Sequence, residues 1–166
     1  MVDNSKDHAD AFDEIGLTSW YFSKVVKDTI NKVTGLEVLE EKYISESNNT
    51  FNNQISSIVI LTGEKNLMIS ISMSFKTATI LVAYMTDIPQ AEIKLEEQSD
   101  GIDEIANMIA GQTKAKLASV GHHYIYMQPF TIVGDNHHIL QKSKVSSLNL
   151  KFHTGAIEIL MSVSIQ

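Results

Sequence analysis

The stretch "QISSIVILTGEKNLMISISMSF", residues 54–75, constrains the fold more than any other part of the chain. Two β-rich runs flank the turn-forming residues Gly63-Glu64-Lys65-Asn66, the signature of a hairpin. In the second arm Ser70, Ser72 and Ser74 alternate with Ile69, Ile71, Met73 and Phe75. Side chains of a strand point alternately to its two faces, so one face of this hairpin is apolar and the other polar. Near the end of the chain, "KVSSLNLKFHTGAIEILMSVSIQ" repeats the pattern around a turn at His153-Thr154-Gly155. An antiparallel sheet follows, with one face left to be covered by something else.

Helical periodicity supplies the cover. From Phe12 to Thr34 the apolar residues Leu17, Trp20, Tyr21, Val25, Ile30 and Val33 recur at helical spacing, and Gly35 is a natural stop. A strand-like "LEVLEEKYIS" and a polar loop "ESNNTFNN" come next. After the first hairpin "KTATILVAYMT" reads as a short helix ended before Pro89. A long helix runs from about Asp100 to Val120, with Gly121 beyond it. "HHYIYMQPFTIVG" reads as extended, with Pro129 at a sheet edge or bend. The halves echo each other: "ISISMSF" and "ILMSVSI", like "DEIG" and "DEIA", lie 90 positions apart. The helix-ending glycines are 86 apart, so a duplication needs a gap, and chance similarity of serine-alternating hairpins stays open. The expected fold class is α/β: a single domain of two pseudo-related halves, an antiparallel sheet with two long helices packed on one face plus a short helix. Residues 1–11 are expected to be a flexible tail before a domain spanning 12–166.

Composition removes whole classes of function. The 166 residues contain no cysteine, which excludes thiol nucleophiles, thiolate metal sites and disulfides. Thirteen basic against 20 acidic residues leave a net charge of -7, with no arginine at all. Arginine is the main tool for bidentate phosphate and base contacts, so nucleic-acid binding is disfavoured. No apolar run is long enough to span a bilayer, and the polar first residues lack a signal segment. A cytoplasmic protein is expected.

Chemistry concentrates on the long helix. Ile102, Ile105, Ala106, Ile109, Thr113 and Val120 form its core stripe. Asp100, Glu104, Asn107, Gly111, Lys114 and Ala118 fall opposite. Glu104 and Asn107 are three residues apart and therefore neighbours. Asparagine lowers helix propensity, and Gly111 costs about 1 kcal/mol relative to alanine, so neither is there for the helix. Gly111 leaves a notch that a second surface could approach. A carboxamide can orient a water without acting as a strong base, and phosphoryl transfer asks mainly for positioning and charge neutralisation. The plain alternative is a solvated helix face. His122-His123 and His137-His138 read as structural or surface residues, because neighbours on a strand point to opposite faces. Carboxylate pairs such as Asp103-Glu104 are discounted because sequential residues do not face each other on a helix.

Asp100-x-x-x-Glu104-x-x-Asn107, the following Met108-Ile109-Ala110-Gly111, and Pro129 in "MQPFTIVG" together resemble the CheC/CheX/FliY family of chemotaxis phosphatases, most closely its CheX-like branch. The resemblance is specific over about residues 97–134. It implies a phosphatase for the aspartyl phosphate of a CheY-like response regulator. Asn107 would orient the attacking water, Glu104 would contact a regulator lysine, and Asp100 and Pro129 would support them. It also implies no cofactor bound by this chain, Mg2+ supplied by the regulator, and a homodimer. The first half carries no second Glu-x-x-Asn, since "DEIGLTSW" has Leu17 where the amide would stand. The alternative function is a non-catalytic adaptor for a response regulator, receptor or flagellar protein.

Overall fold

The first hairpin forms as its alternation requires. In a computed structural model describing residues 12, 15–41, 53–137 and 146–166, strand β2 (Ile55–Thr62) pairs antiparallel with β3 (Leu67–Met73). The second hairpin joins β6 (Ser146–Thr154) to β7 (Ile157–Ile165). The two hairpins meet along β3 and β7, where Ile69 lies opposite Val163 and Ile71 opposite Met161. Strand β1 (Leu39–Glu41) extends the sheet beyond β6, and β4 (Ile125–Tyr126) and β5 (Phe130–Val133) both pair with β2. The result is one continuous antiparallel sheet in the order β1-β6-β7-β3-β2-β4, antiparallel as the sequence predicts, with β5 added at the same edge as β4.

Three helices cover one face. They are α1 (Ser19–Thr34), α2 (Phe75–Thr86) and α3 (Leu95–Ser119). The apolar rows Leu67, Ile69, Ile71, Met73 on β3 and Ile157, Ile159, Met161, Val163, Ile165 on β7 are buried in a core shared with Phe22, Val26, Ile30, Leu81, Ile105 and Ile109 from the helices. Side-chain caps set the helix starts: Thr18 accepts the Tyr21 amide at 3.1 Å, and Ser74 accepts that of Thr77 at 3.1 Å. Gly35, at φ +71°, closes α1 in the left-handed conformation expected of it.

Several sequence expectations are corrected. Helix α1 starts at Ser19 because Gly16 turns the chain at φ +71° and Thr18 caps it. Its buried stripe is therefore Phe22, Val25, Val26, Thr29 and Ile30, and Trp20, expected in the core or at a dimer contact, is 71% exposed and so outside the core. Helix α3 begins five residues earlier than predicted, where the Glu97 carboxylate accepts the Lys94 amide at 2.8 Å. Val120 follows the helix and is exposed, so it drops out of the core stripe. The expected polar loop over 46–53 lies, but for Asn53, outside the described residues, as do the end of the "LEVLEEKYIS" segment and the expected tail. Among the described residues no helix is long and apolar enough to cross a membrane.

Candidate functional site

Helix α3 is held at a fixed height over the sheet. Ile102, Ile105, Ala106, Ile109, Ala110 and Thr113 are buried on its inward side. Gly101 also faces inward: a Cβ added there would sit 2.4 Å from Cγ2 of Val82 on α2. The two helices therefore cross with no room for a side chain between them.

The opposite wall comes from the sheet edge. β4 places Tyr126 opposite Leu61, whereas β5 places Phe130 opposite Ile58. Between them the register slips by one residue, a bulge that contains Pro129. Proline has no amide to give to the ladder, so it belongs at this edge. The slip has a consequence for side-chain direction. Tyr126 and Thr131 are an odd number of residues apart, yet both face the helices, because their partners Leu61 and Ser57 lie on the same side of β2.

Helix and edge enclose a cleft of about 330 Å³ lined by Asp100, Asp103, Glu104, Asn107, Tyr126, Gln128 and Pro129. Four of the five site residues proposed from sequence thus converge: Asp100, Glu104, Asn107 and Pro129. Gly111 does not line the cleft. It lies one turn beyond Asn107, exposed, and a Cβ there would meet nothing within 4 Å. Asn107 departs from expectation in another respect. Its side chain is half-buried, and its Oδ1 is covered without a hydrogen-bond partner among the described residues. Leaving such an acceptor unpaired costs about 1–3 kcal/mol. Packing alone would not select an asparagine there.

The cleft has a definite electrical character. Asp100, Asp103 and Glu104 contribute carboxylates, and none of the lining residues is basic. Burial raises the Tyr126 phenol above its ordinary pKa of 10.0, and the charges of Glu104 and Asp103 raise it further. The hydroxyl therefore stays protonated and can donate. Such a cleft does not hold a free phosphate ion. It suits a phosphoryl group whose charge is already neutralised by another molecule.

Sequence reasoning missed Asp103, Tyr126 and Gln128. Asp103 accepts hydrogen bonds at Oδ1 from Ser57 and, at 2.9 Å, from Thr131. One signal was available: Ser57 interrupts the apolar row Ile55, Val59, Leu61 on the helix-facing side of β2. Asp103 and Glu104 line the same cleft despite being sequential, the former directed to the strands and the latter to solvent. Of the histidines, His137 lies against Ser56 on the far face of the sheet, at 2.6 Å, and His122 approaches Glu64 at 3.9 Å. His138 lies outside the described residues. Among the described residues no three histidines or carboxylates converge to hold a metal ion.

No curated protein matches the chain. Solved structures do. CheX from Desulfovibrio desulfuricans is 25% identical with a TM-score of 0.71, over 87% of this chain and 96% of that one. CheX from Vibrio vulnificus is 21% identical with a TM-score of 0.75, over 87% and 93%. A complex of CheX with CheY, BeF3 and Mg2+ from Borrelia burgdorferi aligns through its matched chain at 21% identity and a TM-score of 0.74, over 87% and 95%. Residues 55–153 match the sequence profile of the chemotaxis phosphatase CheX, a span that takes in both walls of the cleft. Because that span is more than half of the chain, the protein belongs to the CheX family of chemotaxis phosphatases.

Proposed function

We propose that the protein hydrolyses the aspartyl phosphate of a CheY-like response regulator by inserting the outer face of α3 into the regulator's active site. The convergence of Glu104, Asn107 and Pro129 in one acidic cleft carries this reading. Asn107 orients the attacking water through its amide. Glu104, exposed at the rim, pairs with a lysine of the regulator and fixes the register. Asp100 and Pro129 support the two walls. The acidic lining leaves charge neutralisation to the regulator, whose own lysine and Mg2+ hold the phosphoryl group. That Borrelia burgdorferi CheX has been captured with CheY supports the choice of partner. We extend the reading to a homodimer in the cytoplasm; light scattering of the purified protein checks the dimer, and fractionation of cells checks the compartment.

Inorganic phosphate release from a phosphorylated CheY-like regulator tests the proposal. The wild-type protein should shorten the lifetime of the phosphoryl group. Asn107→Ala should lower the rate on the order of 10²-fold, the scale seen when one transition-state contact is removed. A phosphoryl lifetime that the wild-type protein leaves unchanged overturns the reading, and binding without turnover would make the protein an adaptor.

A further inference from the structure

Asp103 is one turn before Asn107 on α3 and one turn after Ser99. One oxygen of its carboxylate is already engaged. Oδ1 accepts from Ser57, which is fully buried on β2, and from Thr131 on β5 at 2.9 Å. Thr131 in turn accepts from Ser99 at 2.8 Å. Two side chains one helical turn apart thus grip a single threonine. That threonine stands two residues after Pro129, on the segment that forms the far wall of the cleft.

The rest of that wall is weakly held. β4 is two residues long, and between β4 and β5 the ladder is interrupted at the bulge. Backbone bonds hold the two ends of the segment: the Met127 amide, at the bulge, donates to Ile60 at 3.0 Å, and the Gly134 amide, just past β5, donates to Gln54 at 3.0 Å. The bulge also sets the side-chain phase that turns Thr131 toward α3. A partly buried polar clamp, anchored on a fully buried serine in an otherwise apolar row, demands a purpose, because a buried polar group must be satisfied or be costly.

We propose that Asp103 is a positioning residue. By holding Thr131 and Ser57 against α3 it fixes the Tyr126–Pro129 arm at a set distance from Asn107, and so keeps the amide aligned for the water it orients. The catalytic half of this inference rests on the phosphatase reading given above; the mechanical half does not. The carboxylate works here as a paired acceptor, so its charge is dispensable and its geometry is not.

Four variants separate the possibilities. Asp103→Ala and Thr131→Val remove the clamp, whereas Asp103→Asn keeps an oxygen that can accept both hydroxyls, and Thr131→Ser keeps the donor. Hydrogen exchange of the Met127 and Gly134 amides, measured on the protein alone, should quicken at least tenfold in the first pair and stay near wild type in the second. With a phosphorylated regulator, kcat should fall roughly tenfold or more in the first pair, since misplacement by about 1 Å can cost about 10²-fold, while KM holds. Unchanged exchange in Asp103→Ala overturns the inference. So does quickened exchange with undiminished kcat, measured well below Tm, which would leave only a structural role. Loss of kcat in Asp103→Asn equal to that in Asp103→Ala would assign the effect to charge and overturn it too. If exchange responds as expected but the wild-type protein dephosphorylates no regulator, the clamp stands and the phosphatase reading falls.

Discussion

Helix α3 carries two glycines ten residues apart, and they answer to different masters. Gly101 faces inward, and a methyl group there would drive into Val82, itself buried on α2. Folding explains it. Gly111 faces outward, and a methyl group there would touch nothing. Both weaken the helix by about 1 kcal/mol relative to alanine. Only the first recovers that loss within this chain, through the close crossing of α2 and α3. Nothing the structure describes around the second offsets its cost, and under the proposed function the gain comes from the partner that approaches the helix one turn past Asn107. The same division runs along the whole helix: packing fixes the inward face, and the proposed encounter with a regulator would account for the outward one.

The largest effect expected on the inward side comes from Gly101→Ala. Overpacking of this kind costs about 1–3 kcal/mol, partly offset by the helix propensity of alanine. A net loss of about 1–2 kcal/mol should appear in urea unfolding. Because β-branched Val82 has little rotamer freedom in a helix, it cannot simply swing aside. Pairing the change with Val82→Ala should give a double mutant more stable than the summed single effects allow. Additive behaviour would mean that the two helices do not meet where the structure places them.

Next in size is Gly111→Lys. A long side chain in the notch should raise the melting temperature by about 1–4 °C, because lysine is nearly as good a helix former as alanine and far better than glycine. Regulator dephosphorylation should nonetheless fall about tenfold, which corresponds to about 1.4 kcal/mol. Unaltered turnover would strip Gly111 of its role at the interface. Smaller still is Gly111→Ala, which should stabilise the fold by up to about 1 kcal/mol while slowing turnover only slightly.

Much of the architecture was legible because alternation and helical period are local signals. The two hairpins, the short helix before Pro89 and the inward stripe of α3 follow from neighbours along the chain. Four of the five candidate residues read from the sequence line the cleft for a related reason. Asp100, Glu104 and Asn107 share one helix, and Pro129 stands out as one of only two prolines. What escaped depends on register. That Ser57, Asp103 and Thr131 meet requires knowing that β5 lies against β2 and that a bulge shifts its phase. The partial burial of Asn107 has the same origin, since the arm beside it is placed by long-range pairing. The start of α1 was misplaced because periodicity continues through Gly16, and only the cap at Thr18 marks the true beginning.

Tyr126 offers the finest test of the outward side. It faces the cleft from β4, and its hydroxyl has no hydrogen-bond partner among the described residues. Tyr126→Phe removes that one donor and leaves the ring in place, so the fold should be unaffected. If the cleft meets a phosphoryl group or its water, loss of a peripheral neutral donor should slow turnover a few-fold, in line with roughly 0.5–1.5 kcal/mol for one hydrogen bond. The deficit should be the same at about pH 7 and about pH 9. Burial and the neighbouring carboxylates both push the phenol above 10.0, so the wild-type hydroxyl keeps its proton across that interval. A deficit that vanishes toward about pH 9 would mean that the phenol ionises early. The cleft would then be less acidic in character than its three carboxylates require, and the claim that it relies on its partner to neutralise phosphate would lose its electrostatic basis.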